Sequence, residues 1–125
     1  LALALDAPKK GDVTLIGIPD PKEQNGAKKL AEIKARLADG NAIELRQPVP
    51  MAGFSGAAAL GAQGEFLGMT EMRNFVLAST EPAAPPVQLI TTGTIRDFLA
   101  AHNITSEPRG GDTKASVVRI ICVRK

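Results

Sequence analysis

The chain has no tryptophan, no tyrosine and only four phenylalanines in 125 residues. Leu, Ile, Val and Ala must therefore fill its interior. Hydrophobic residues make up 44% of the chain, enough for one core of modest size. The aromatic shortage argues against binding of single-stranded nucleic acid, which stacks its bases on aromatic side chains. The charge argues the same way. The net charge is +2, and basic residues are interspersed with acidic ones, so no basic stripe follows a phosphate backbone. Cys122 is the single cysteine, which excludes an internal disulfide and a cysteine-based metal site. It reads as a small buried hydrophobe. No apolar run reaches the roughly 18 residues of a membrane-spanning helix. No cofactor, metal or nucleic-acid partner is expected.

What is present is a series of short β-rich runs. Leu1-Ala2-Leu3-Ala4-Leu5 is apolar and reads as a strand taken from a longer chain. Residues 6–12, with Pro8, Gly11 and several charges, form a linker. Val13 to Ile18 is a strand closed by Pro19. Residues 28–38 fit two periods. Leu30, Ile33 and Leu37 have helical spacing, whereas Ala31, Ile33, Ala35 and Leu37 alternate with charged residues. Asp39-Gly40 is a hairpin signal, and Ala42 to Arg46 alternates as well, so two antiparallel strands are preferred to a helix. Residues 57–60 and 65–70 form a hairpin around Gly61 to Gly64. Gly68, inside the second of these strands, implies a close backbone neighbour. Val87 to Thr91 is a strand. Ile95, Phe98, Leu99 and His102 then fall on one face of an amphipathic helix capped by Thr94. Residues 105–112 are a hinge-like loop, and Ala115 to Val123 reads as a strand buried on both faces. Eight strand-like segments with one late helix predict an all-β barrel or sandwich.

The stretch Gly53-Phe54-Ser55-Gly56 admits three readings. It is a simple turn, a nucleophile elbow, or the nucleophile loop of a trypsin-like barrel. The elbow needs Gly-x-Ser-x-Gly between a strand and a helix. Here Ala57 takes the fifth place, a proline-bearing loop precedes and a hairpin follows, so the context fails. The third reading places the serine on a loop between barrel strands. Small neighbours let the backbone turn two N–H groups, those of Gly53 and Ser55, toward one spot as an oxyanion hole.

The segment Gly53 to Met69 resembles the serine segment of bacterial trypsin-like peptidases of the Deg type. The family pattern there is Gly-x-Ser-Gly-Gly-Pro, two apolar residues, a turn ending in Gly and an acidic or basic residue, then two apolar residues and Gly. Gly11 to Pro19 resembles the strand that opens the family's second barrel, and Thr91 to Leu99 the passage from its last strand into the C-terminal helix. Leu1 to Leu5 resembles the last strand of the first barrel, which directly follows the catalytic aspartate. The resemblance covers about residues 1–102. It implies a six-stranded Greek-key barrel over residues 13–102 with one C-terminal helix, and a hinge and extra terminal strand over residues 103–125. It implies that the chain is the C-terminal half of a serine endopeptidase, with a missing N-terminal barrel supplying the base and its orienting carboxylate. Ser55 would be the nucleophile and the Gly53 N–H an oxyanion donor. Val49 would sit at the base of the substrate pocket, with Met69 and Thr70 beside it. An apolar Val49 favours a small or aliphatic substrate residue, since an unpaired charge there is costly. The partner is then a peptide or unfolded protein, and a periplasmic or secreted location follows from the resemblance alone.

Two departures stand out. Ala57 and Ala58 replace Gly-Pro, and the family's usual peptide-binding domain is replaced by residues 115–125. They motivate a second reading: a pseudopeptidase barrel that binds peptides or acts as a scaffold. An unrelated ligand-binding barrel is a third. His102 reads as a helix-terminal residue rather than as the base. The two terminal strands are expected to cover apolar surface, within the chain or across a dimer.

Overall fold

The computed structural model describes residues 8–19, 29–45, 54–72, 87–105, 112–118 and 120. Six strands close into an antiparallel barrel: β1 (Gly11–Gly17), β2 (Ala31–Leu37), β3 (Ala42–Leu45), β4 (Ala58–Leu60), β5 (Phe66–Met72) and β6 (Val87–Thr91). Their order around the barrel is β1-β2-β3-β6-β5-β4, with β4 back beside β1. β1, β2 and β3 are sequential neighbours and β4 returns to the first of them, which is a Greek key. The expected all-β barrel is the observed architecture.

Period-two alternation explains the packing. Val13 and Leu15 of β1, Ala35 and Leu37 of β2, Ile43 of β3, Ala59 of β4, Leu67 of β5, and Val87 and Leu89 of β6 point inward and fill the barrel. Ile16, Ala58 and Phe66 point outward, yet they are buried as a second cluster. Leu60, Ile95 from the helix and Val117 from the C-terminal segment cover them. Residues 31–37 are thus a strand despite good helix formers, because burial of Ala35 and Leu37 in the barrel outweighs local propensity. The β2–β3 connection passes through a 3-10 turn, Asp39–Asn41, with Gly40 at φ 65° and Asn41 at φ 60°. Gly68 meets its expected neighbour. It pairs with Thr91 of β6, and a Cβ there would collide with the Ile90 carbonyl.

The helix α1 (Thr92–Ala101) begins three residues earlier than the sequence predicts. Thr91, not Thr94, is the cap, and its hydroxyl accepts the Thr94 N–H at 3.4 Å. Threonine and glycine are poor helix formers, but Thr92 is buried where β6 runs straight into the helix. The helix ends in a Schellman motif with Asn103 left-handed at φ 57°. The Ile104 N–H donates to Leu99 O at 2.8 Å and the Asn103 N–H to Ala100 O at 3.1 Å. The predicted apolar stripe is only partly inside: Ile95 and Leu99 are half-buried, whereas Phe98 is 62% exposed.

The C-terminal segment differs most from expectation. Ala115 and Ser116 close a short helix, α2 (Thr113–Ser116), and Val117, Val118 and Ile120 are in no strand. Asp112 caps α2 by accepting the Lys114 N–H at 3.0 Å. Lys114 also pairs with Glu32 of β2. The expectation of burial holds in part: Val117 packs on the outer cluster, while Val118 and Ile120 are 75% and 86% exposed. The expected Leu1–Leu5 strand and Cys122 lie outside the described residues.

Candidate functional site

Phe54, Ser55, Gly56 and Ala57 form a tight turn leading into β4. The Ala57 N–H donates to Phe54 O at 3.2 Å, and Gly56, third in the turn, takes φ 83°. That value is typical of a type II turn and suits glycine. A Cβ on Gly56 would meet no neighbouring atom, so the requirement is conformational rather than spatial. Ala57 does not have a positive φ, so the family's glycine is not needed at that position. Ala58 begins β4.

The turn is fixed from both ends. The Phe54 side chain is fully buried in the barrel, and Ala57 is buried with it. Thr70 of β5 clamps the turn from below. Its carbonyl accepts the Gly56 N–H at 2.7 Å, and its N–H donates to Ala57 O at 2.9 Å. Its hydroxyl accepts the Ala57 N–H at 3.1 Å and donates to Phe54 O. Thr70 is 1% exposed, so these bonds form away from competing water. Thr70 therefore supports the turn and is not among the described residues that line the cleft.

Ser55 and Gly56 are exposed at the apex. Ser55 is the one that carries a hydroxyl. Its N–H takes part in none of the backbone hydrogen bonds among the described residues, in contrast to the N–H groups of Gly56 and Ala57. A serine hydroxyl is a nucleophile only when a base receives its proton. His102 is the C-cap of α1, where it is exposed and its ring lies 4.5 Å from that of Phe98. It does not line the cleft at Ser55. Val49 and Gly53 lie outside the described residues.

Beside Ser55 opens a cleft of about 490 Å³. The serine turn, together with Ala58, forms one side of it. Met69, 37% exposed, and Phe66 come from β5, and Gly17 and Ile18 from the end of β1. The opposite side is the C-terminal segment, through Thr113, Ser116, Val117, Val118 and Ile120. Among the described residues, none that lines the cleft is charged. Met69 is thus one of the residues that line the cleft. The contribution of residues 113–118 and 120 was not foreseen from the sequence. Asp112 followed by Thr-Lys-Ala-Ser is an N-cap signature, but the β-branched run behind it dominated.

Glu32 of β2 pairs with Lys114 of this segment. The Lys114 ammonium, by hydrogen bond and then by its charge, holds the Glu32 carboxyl below the usual carboxylate range. Glu32 raises Lys114 in return. Among the described residues no group of three His, Cys, Asp or Glu side chains forms a metal site, and no helix is long and apolar enough to cross a membrane. No family model and no curated protein matches the chain.

Proposed function

We propose that the chain carries the nucleophile of a trypsin-like serine endopeptidase. The Ser55 hydroxyl attacks the scissile carbonyl of a peptide, and the N–H groups of Gly53 and Ser55 stabilise the negative oxygen of the tetrahedral intermediate. Each such donor contributes on the order of 3 kcal/mol in the transition state. The base that takes the serine proton and passes it to the leaving amine, and the carboxylate that orients it, come from a first barrel outside these 125 residues. The observation that carries the reading is the turn itself. Phe54 and Ala57 are buried, the Gly56 and Ala57 N–H groups are engaged, and Ser55 is exposed beside a cleft whose described lining residues carry no charge. A Greek-key barrel with a helix after the last strand agrees with the same resemblance.

A second reading, a pseudopeptidase barrel that holds peptides without cleaving them, is favoured by one observation. Ala57 and Ala58 follow the serine turn where the resembling pattern has Gly-Pro. The two readings separate on cleavage of an unfolded protein such as reduced, alkylated casein. The longest natural polypeptide containing these residues should cleave it, and Ser55→Ala should lower the rate by roughly a thousandfold or more. Equal rates for the two would remove the nucleophile role.

A further inference from the structure

The C-terminal segment is anchored at its base and open at its tip. Thr113 is 7% exposed, Lys114 pairs with Glu32, and Val117 packs on Ile16, Ala58 and Phe66. Just beyond this anchor, Val118 and Ile120 are 75% and 86% exposed. Large apolar side chains left in water usually mark a binding surface when they cluster. Six large hydrophobics are exposed among the described residues, and three of them, Met69, Val118 and Ile120, line the cleft at Ser55. Its volume lies in the roughly 300–1,000 Å³ range of ligand sites, too large for a packing defect.

The chemistry of the lining selects the occupant. Among the described residues no charged group lines the cleft to pair with an ionic ligand, and burying an unpaired charge is costly. The cleft also has a strand edge. The β1–β4 ladder ends at Ile16 and Ala58, but β1 runs on through Gly17 and the chain continues to Ile18. On that side Gly17 and Ile18 have no strand partner among the described residues, and both line the cleft. An unpaired edge beside apolar pockets binds an extended peptide, with main-chain hydrogen bonds for affinity and alternate side chains for specificity. A compact apolar molecule would leave the edge unused.

We propose that residues 113–118 and 120 form the second wall of a peptide-binding cleft at Ser55, and that Val118 and Ile120 make it select an aliphatic side chain of an extended peptide. In naming that peptide as the substrate, the inference rests on the peptidase reading. The selectivity itself does not need catalysis. Because Val118 and Ile120 are mostly exposed, replacing them leaves both apolar clusters intact.

The test uses the full natural chain carrying Ser55→Ala, which prevents turnover. Three fluorescein-labelled, blocked hexapeptides of alanine with a central Leu, Asp or Lys are titrated by fluorescence anisotropy. The Leu peptide is expected to bind at least tenfold more tightly than the other two. The double variant Val118→Asp/Ile120→Asp should weaken the Leu peptide at least tenfold and strengthen the Lys peptide, a reversal that loss of structure cannot produce. Equal binding of the three peptides, no binding of the Leu peptide, or an unchanged preference in the double variant would overturn the proposal. Failure of the peptidase reading has a different signature: no cleavage by the wild-type chain with the Leu preference intact.

Discussion

Thr70 shows how one side chain fixes a functional loop. Its hydroxyl bridges Phe54 and Ala57, and its backbone holds Gly56 and Ala57. No buried side-chain nitrogen or oxygen among the described residues lacks a partner, so the clamp is fully satisfied. Thr70→Val keeps the shape and removes the hydroxyl. It should cost about 1–3 kcal/mol, since two buried hydrogen bonds are lost while Phe54 O still accepts the Ala57 N–H. Thr70→Ser keeps the hydroxyl and loses only a methyl, about 1 kcal/mol. Urea denaturation of the two variants measures the difference, and equal stability would show that the hydroxyl carries no weight. Ser55 and Gly56 were legible in the sequence, because a serine among glycines signals a turn. Thr70 was legible as a neighbour of the site but not in its role. A sequence gives its distance from Ser55 along the chain and says nothing of which face of β5 meets the turn.

At the scale of elements, the alternation in residues 31–37 and the Asp39-Gly40 signal were sufficient to choose strands over a helix, and the structure agrees. The start of α1 and the whole of α2 were not legible. Each depends on a threonine, Thr92 or Thr113, whose burial is decided by distant chain. The α2 segment is tied down by Glu32 and Lys114, and this makes a pH prediction. Glu32 is depressed, so its contribution is present above the ordinary carboxylate pKa and is lost as pH falls through its lowered folded value. Lys114 is raised, so its contribution is present below the ordinary lysine pKa and is lost as pH rises through its higher folded value. The tie therefore spans neutral pH. Amide exchange at residues 114–118 should accelerate in acid and in strong alkali before the barrel opens. Both partners are exposed, so added salt should weaken the tie as well. Exchange in the segment that follows global unfolding at every pH would rule the tie out. Glu32→Gln should remove the acid arm.

The whole molecule depends on two apolar layers. One fills the barrel, and the other lies outside it beneath α1 and Val117. The all-β class was legible from strand count and spacing, and the choice of a barrel over a sandwich came from the resemblance. The outer layer was not legible, because Ile16, Ala58 and Phe66 read as solvent-facing positions until the covering elements are placed. The cleft arises from this second layer: the segment that covers the outward face also forms a wall opposite Ser55. The central claim is that Ser55, at the apex of a clamped turn, is an activated nucleophile. A fluorophosphonate probe tests it most directly on the longest natural polypeptide containing these residues. Mass spectrometry should find one probe per chain, bonded to Ser55, with labelling abolished in Ser55→Ala and slowed in Thr70→Val. A folded chain that leaves Ser55 unlabelled would contradict the account.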